Sequence, residues 1–433
     1  MATTTTQLAV RDFAPILAVH FLGTLGFSLV IPFLVFIVTD LGGASWTYGL
    51  VGATYSAFQL FGAPVLGRWS DRAGRRPVLV ASQVGTLVAW VLFLVALSLP
   101  TIPTLGTLAG ATLTLPLLLV FVARAIDGAT GGNISVANAY VADMTRDSDA
   151  EHRQQAFGRM GMASSLGFVL GPAAAGLLGG TAWGPRLPIA AAALLAFATT
   201  IAIVLLLREP KGRCPEGPPS QDAVTSNLHQ QDKRCDRAPE PTPDLGVLTQ
   251  RPVMLILIGT FTLFLGFNVF FSSFPVHAEA VWSWTAGELG TFFAILAGVM
   301  ITAQGPGLAL ASRVLSPPAL FAVGVCCLLG AMVVLQLPGE QTPYASAVLY
   351  ALGNGLSWPT FQARVAEVAG DDQGAVQGTA SSAGSLASII GLVVGGALYP
   401  LLGSTLFMAA AVMFGIVALL TPLWFGLGPS KEG

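Results

Sequence analysis

Charge is what this sequence has least of. Only 10% of its 433 residues are charged, while 54% are hydrophobic; a soluble globular domain carries roughly 25% charged residues. So little charge cannot clothe a water-soluble surface, and a soluble enzyme is excluded. The chain has four His and four Cys, with no CxxC pair and no metal-ligand spacing, so no metal site is expected. Cys326 and Cys327 adjoin in an apolar run and Cys214 and Cys235 fall in a polar stretch, all four expected as free thiols. No GxxxxGK[ST] loop is present to drive transport by nucleotide hydrolysis, so no cofactor is expected. Nor is there a basic stripe with interleaved aromatics to bind nucleic acid, or a cluster of His, Cys and carboxylates at catalytic spacing. Segments of about ten residues with alternating polarity, the mark of a transmembrane barrel, are missing too. No small-residue cleavage site follows the first apolar run, which is expected to stay as a helix and not to be removed as a signal peptide.

What is present is a series of apolar runs of about 20 residues, each long enough to cross a hydrocarbon core about 30 Å thick. They predict an all-α membrane protein with twelve transmembrane helices, at 13–38, 47–68, 77–99, 114–142, 154–178 and 187–207, then 252–276, 286–311, 317–337, 344–369, 375–402 and 404–426. The 50 glycines fit this class, because small residues let membrane helices approach closely. A polar stretch rich in Pro, Asp and Gln separates the sixth run from the seventh. The expected organisation is an N-terminal six-helix half at 1–207, a flexible linker at 208–251 and a C-terminal six-helix half at 252–433. Lys and Arg gather on one side of these spans; Arg186 alone falls in a loop on the other side and Arg124 alone lies well inside a span. By the positive-inside rule both termini and the linker are expected in the cytoplasm, in the cytoplasmic (inner) membrane of a bacterium.

The halves echo each other. Gly158, Gly171 and Gly176 stand 220 positions before Gly378, Gly391 and Gly396, as expected of parallel repeats. The densest signal is GRWSDRAGRRP, Gly67 to Pro77, between the second and third spans. Gly67 and Gly74 permit a tight turn, Asp71 can meet helix N-termini and arginines, and Arg72, Arg75 and Arg76 hold the turn at the membrane surface. From the residues alone this is either a gate of remakeable charge pairs or a set of topology-fixing charges.

That turn resembles the signature loop GxLaDrxGrrxxl of the major facilitator superfamily, at its usual place between spans two and three. FLGTLGFSLVIPFL, ending near Pro32, is similar to the family's first-span motif, and ARAIDGATGGNISVANAYVADMT to its fourth span, with the family's Arg at Arg124. GFVLGPAAAGLLGG is similar to the GxxxGPxxGG antiporter motif, here Gly167, Gly171, Pro172 and Gly176. The resemblance covers the whole chain, is strongest from Phe13 to Gly180, and is greatest to the drug/proton antiporter branch with its tetracycline efflux proteins. It implies a proton-coupled secondary transporter working by alternating access, not an enzyme. Where tetracycline antiporters carry intramembrane acids and a His, ungapped alignment places Gly23, Ala89, the neighbourhood of Met300 and the Cys327 region, although Gln304 is kept. Tetracycline as the substrate does not follow.

Inside the spans, Arg124 and Asp127 stand three residues apart and share one helix face. A buried charge costs several kcal/mol unless paired, so the two form either the proton-coupling group with its partner or a static structural pair; His20 in the first span is a further titratable candidate. Tyr55, Gln59, Asn133, Asn138, Asn268, Phe271, Gln304, Asn354, Trp358 and Gln362 are candidates to line the substrate cavity, or to bond helix to helix. A cavity so poor in fixed charge suits a neutral, zwitterionic or weakly cationic amphipathic substrate. The expected function is efflux of small drugs or related compounds by a monomer, its partners being the substrate, protons and the lipid bilayer; the alternative is an uptake symporter or facilitator for a small metabolite.

Overall fold

A computed structural model of the chain describes residues 10–426 apart from 31–32, 103, 132, 146–149, 180, 182, 185, 210–248 and 370–372. The expected linker, but for 208–209 and 249–251, lies outside the described residues, as do Pro32, Cys214 and Cys235. Helices follow the apolar runs in order. Before the linker come α1 (Val10–Ser28), α2 (Leu34–Asp40), α3 (Ser45–Ala73), α4 (Arg75–Ala96), α5 (Leu115–Thr130), α6 (Asn133–Met144), α7 (Ala150–Gly179) and α8 (Arg186–Leu206). After it come α9 (Arg251–Trp282), α10 (Ala286–Thr302), α11 (Leu308–Ala311), α12 (Pro317–Val334), α13 (Thr342–Ala369), α14 (Gln373–Leu402) and α15 (Thr405–Gly426). Among the described residues nine helical stretches are long and apolar enough to cross a membrane. The other expected spans correspond to α1, interrupted after Ser28; α7, 30 residues long; and α13, whose Asn354, Ser357 and Gln362 lower its hydropathy.

Three of the expected spans are not single α-helices. The first breaks between α1 and α2, where Leu29 and Val30 turn. The fourth breaks at Gly131, which caps α5 and packs against the Tyr55 ring on α3. The eighth passes through a π-helical turn, Ala303–Gly307, around Pro306. Proline lacks the N–H that an α-turn needs, and a widened turn absorbs the misfit. The helical class also gains a small sheet: β1 (Thr104–Leu108) pairs antiparallel with β2 (Ala111–Thr114) between α4 and α5. The β-branched Thr residues favour strand here, and Ala109 and Gly110, at φ 46° and 82°, make the two-residue turn with positive φ that hairpins prefer.

Serine–glycine contacts set the repeat register, and it differs from the 220-residue offset expected above. Ser28 on α1 donates to the Gly167 carbonyl on α7 at 2.9 Å, and Ser272 on α9 donates to the Gly391 carbonyl on α14 at 3.4 Å. One turn further along, a Cβ on Gly171 would overlap the Ser28 hydroxyl and one on Gly395 the Ser272 hydroxyl. These contacts match Gly167 to Gly391 and Gly171 to Gly395, an offset of 224, so the sequence match was one helical turn (four residues) out of register. Glycine recurs too often on these helices for identity alone to fix the turn. We expect Gly171→Val and Gly395→Val to destabilise the folded protein comparably, by about 1–3 kcal/mol each through overpacking; detergent melting curves check this, and a large loss from only one would break the equivalence.

The regions before and after the linker meet chiefly where α3 packs on α14 and α7 on α10. The closest α3–α14 contacts among the described glycines lie at the end of the bundle opposite the 67–77 turn. Gly49 lies against the Leu392 carbonyl and Gly396, Gly52 lies against the Leu392 side chain, and the Tyr48 hydroxyl donates to the Phe271 carbonyl at 3.2 Å. Toward the turn end of the same helices, Gly67, Gly161, Gly305 and Gly378 face open space. Among the described residues, the backbone-to-backbone approach of α3 and α14 therefore lies at the end far from the turn.

Candidate functional site

Arg124 sits near the middle of α5 with its side chain 3% exposed, and one turn on, the 6% exposed carboxylate of Asp127 accepts from it at 3.3 Å. The guanidinium carbon lies 5.2 Å from the Tyr55 ring centre, 5.6 Å from Phe27 and 5.7 Å from Trp90. Three helices thus contribute an aromatic cage. Such faces attract a cation by their quadrupoles, most strongly where water is excluded, which lets a buried Arg persist with its Nε lacking a hydrogen-bond partner among the described residues. Thr86 on α4 adds a hydroxyl to Asp127. Close approach makes the cage possible: Gly128 packs on the Tyr55 carbonyl and Gly62 on that of Ala129, so α3 and α5 touch backbone to backbone. Gln59 donates to the Tyr55 hydroxyl at 3.1 Å and to the Gly131 carbonyl at 3.3 Å. Tyr55 and Gln59 therefore join the pair, whereas among the described residues no hydrogen bond or ion pair links it to His20, which is buried on α1 with its carbonyl accepting from Thr24.

The later candidates gather around a second, aromatic surface. Trp358 on α13 lies edge-on to Phe264 at 5.4 Å and to Phe267 at 6.4 Å. Asn268 donates to Ser388 at 3.0 Å and to the Phe264 carbonyl at 2.8 Å, bonding α9 to α14. Phe271 stacks on Phe293 at 6.1 Å and meets Tyr350 edge-on at 5.8 Å. Tyr48, whose hydroxyl reaches the Phe271 carbonyl, is within electrostatic reach of Arg124, so the two groups adjoin at the end far from the turn. Gln304 is half-buried on the π-helical turn, Asn138 and Asn354 are half-buried on α6 and α13, and Gln362 is exposed. Asn133 opens α6 and Gly176 lies on α7, but their surroundings fall outside the described residues.

At the turn between α3 and α4, Gly74 adopts φ 98°, and a Cβ there would meet the Glu209 carboxylate. Arg75, 3% exposed, donates to Asp71 at 2.5 Å, to Asp143 at 2.8 Å and to the Ser70 hydroxyl at 2.7 Å. Glu209 accepts from the backbone N–H groups of Arg75 and Arg76 at 2.5 and 2.8 Å, where a helix N-terminus favours an anion. The Arg76 guanidinium donates to the Val204 carbonyl on α8. Asp143 and Glu209 were missed in the sequence. Each sits at the polar end of an apolar run, where an acid looks like ordinary solvated surface, and only the fold carries it to the turn. Arg75→Ala is expected to cost about 3 kcal/mol, because a buried ion pair is expensive to break, and Asp71→Ala under about 1 kcal/mol, because half of that carboxylate is exposed; thermal unfolding in detergent separates them, and equal losses would remove Arg75 from the centre of the network.

The Gly167–Gly171–Pro172 segment faces α1. Gly167 lies against the backbone of Phe21 and Leu25, and α7 runs unbroken past Pro172.

The sequence and the fold both match known proteins. The family model described as Major Facilitator Superfamily matches residues 16–369. The chain is 27% identical to the class D tetracycline resistance protein of Salmonella ordonez, over 87% of this chain and 86% of that one. It is 28% identical to the class C tetracycline resistance protein of Escherichia coli, over 89% and 88%. Multidrug resistance protein 2 of Bacillus subtilis (strain 168) shares 25% identity over 95% and 94%. Two solved structures share the fold. The human organic anion transporter MFSD10 (TETRAN) has TM-score 0.63 and 21% identity, with 95% of this chain and 99% of that one covered. A D-xylose–proton symporter has TM-score 0.69 and 16% identity, over 94% and 96%.

Proposed function

The chain belongs to the Major Facilitator Superfamily, and from that premise we propose that it is a proton-coupled efflux antiporter of small amphipathic drugs. In this reading twelve membrane helices form halves at 1–207 and 252–433, joined by 208–251, in the inner membrane of a bacterium, with the 67–77 turn and both termini in the cytoplasm. The protein works as a monomer, and the proton gradient takes the place of a cofactor.

The observation that carries the proposal is the buried Arg124–Asp127 pair inside its aromatic cage. Asp127 takes a proton while the protein is open to the outside. Protonation cancels the carboxylate that holds Arg124, leaving the guanidinium on the rings of Phe27, Tyr55 and Trp90. Substrate entering from the cytoplasm meets the cage on one side and the Trp358–Phe264 surface on the other, and its binding favours return of the proton to the inside. Few fixed charges and many aromatic faces suit an apolar body with a weakly polar or cationic group. Gly167 and Gly171 hold α1 and α7 together so that the N-terminal half rocks as one body.

The test is proton movement in everted vesicles, followed with a pH-sensitive dye across tetracyclines, fluoroquinolones, dyes and amphenicols. Release of lumenal protons on adding one of these is the expected result. Silence across the panel, with proton movement triggered instead by a small metabolite, would replace drug efflux with metabolite transport.

A further inference from the structure

The hairpin β1–β2 takes no part in the reading above. Its inner strand is docked and its outer strand is not. Thr112 donates its backbone N–H to the Gly42 carbonyl at 2.7 Å, and the Thr114 hydroxyl donates to the Leu41 carbonyl at 2.7 Å. The Trp46 indole donates to the Ala109 carbonyl at the hairpin tip at 3.0 Å. Gly42, at φ 96°, leaves room for Thr112, whose carbonyl a Cβ would crowd. These bonds clip the hairpin over the junction of α2 and α3, next to the α3 segment that meets α14.

The outer side is apolar and bare. Leu105 is 57% exposed, Leu108 58% and Ile102 78%. No charged residue lies between Arg76 and Arg124. In water such an uncharged, unpaired edge strand is an aggregation site that proteins guard with Lys, Pro or burial. Its surroundings indicate what covers it. On α4, Val88, Val91 and Val95 are exposed along one face leading to the hairpin, and on α5, Leu115, Leu118 and Val122 are exposed along one face leading away. The apolar hairpin therefore continues the lipid-facing surface of two membrane helices. Its free strand edge still needs hydrogen-bonding partners, which the hydrocarbon core lacks and the headgroup region supplies.

We propose that the hairpin is a lipid anchor, lying in the interfacial layer of the leaflet far from the 67–77 turn, with Leu105 and Leu108 inserted about 5–10 Å into the headgroup–acyl boundary. It fixes the depth of the α2–α3 junction, and so of the α3 end that closes on α14.

The test places a single cysteine at Leu105, Leu108 or Ile102, with Cys214, Cys235, Cys326 and Cys327 replaced by Ser, and labels each with an environment-sensitive fluorophore in liposomes. Glu340, exposed on the polar loop between α12 and α13, is the aqueous control. The expected result is blue-shifted emission at the hairpin positions and severalfold stronger quenching by lipids carrying a shallow nitroxide than by aqueous iodide, with the reverse order at Glu340. Emission and iodide quenching matching the control would overturn the anchor. So would shielding in native vesicles that disappears in liposomes of the same lipids, because the cover would then be another protein.

Discussion

Replacing Asp127 by Asn is expected to abolish substrate-driven proton release while leaving the protein in the membrane. The variant keeps the shape of the side chain and removes its charge, so Arg124 loses its carboxylate. An unpaired buried charge costs about 3–5 kcal/mol, but here three rings still face the guanidinium, and each close cation–π contact returns up to about 2 kcal/mol when desolvated. Folding should survive; coupling should not. The double variant Arg124→Gln with Asp127→Asn separates the two roles left open by the sequence. If the pair is a static strut, neutralising both partners removes the uncompensated charge and proton-coupled flux returns. If Asp127 carries the proton, the double variant is well folded and uncoupled. Coupled flux in the single variant would move the proton elsewhere, His20 first.

Much of this was legible in the sequence, for physical reasons that differ by feature. Long apolar runs must be helical in lipid because every backbone group has to be satisfied within the segment, so the element order followed directly. The i,i+3 spacing of Arg124 and Asp127 put them on one face, and the structure makes that an ion pair. What stayed hidden depends on contacts between distant segments. Phe27 and Trp90 read as two more aromatics in apolar runs until the fold brings α1 and α4 against Arg124 beside Tyr55, a residue already singled out. Glu209 reads as the start of a polar linker until α8 delivers it to the N-terminus of α4. The breaks at Leu29–Val30 and Gly131 were hidden for another cause: hydropathy averages over a turn and does not register one.

Gly49→Val is the other substitution expected to have a large effect, because it acts on the backbone contact at the end far from the turn. A Cβ at Gly49 would overlap the Leu392 carbonyl and stand 3.2 Å from the Gly396 Cα. Backbone cannot rotate out of the way as a side chain can, so α3 and α14 must separate. Overpacking of this kind costs about 1–3 kcal/mol, and because the cost falls only on the closed state it shifts the balance between states by about 5- to 150-fold. Transport should fall by a similar factor, while thermal stability changes less than with Gly171→Val, whose clash lies between α1 and α7 and persists in either state. Spin labels at Ser98 and Glu340, exposed sites before and after the linker at that same end, report the opening directly. A longer, broader separation in Gly49→Val than in the parent, reproduced by Gly396→Val from the other helix, is the expected result. Unchanged separation with full transport would mean that α3 and α14 do not form the gate, and closure would have to be sought at the Tyr48–Phe271 bond alone.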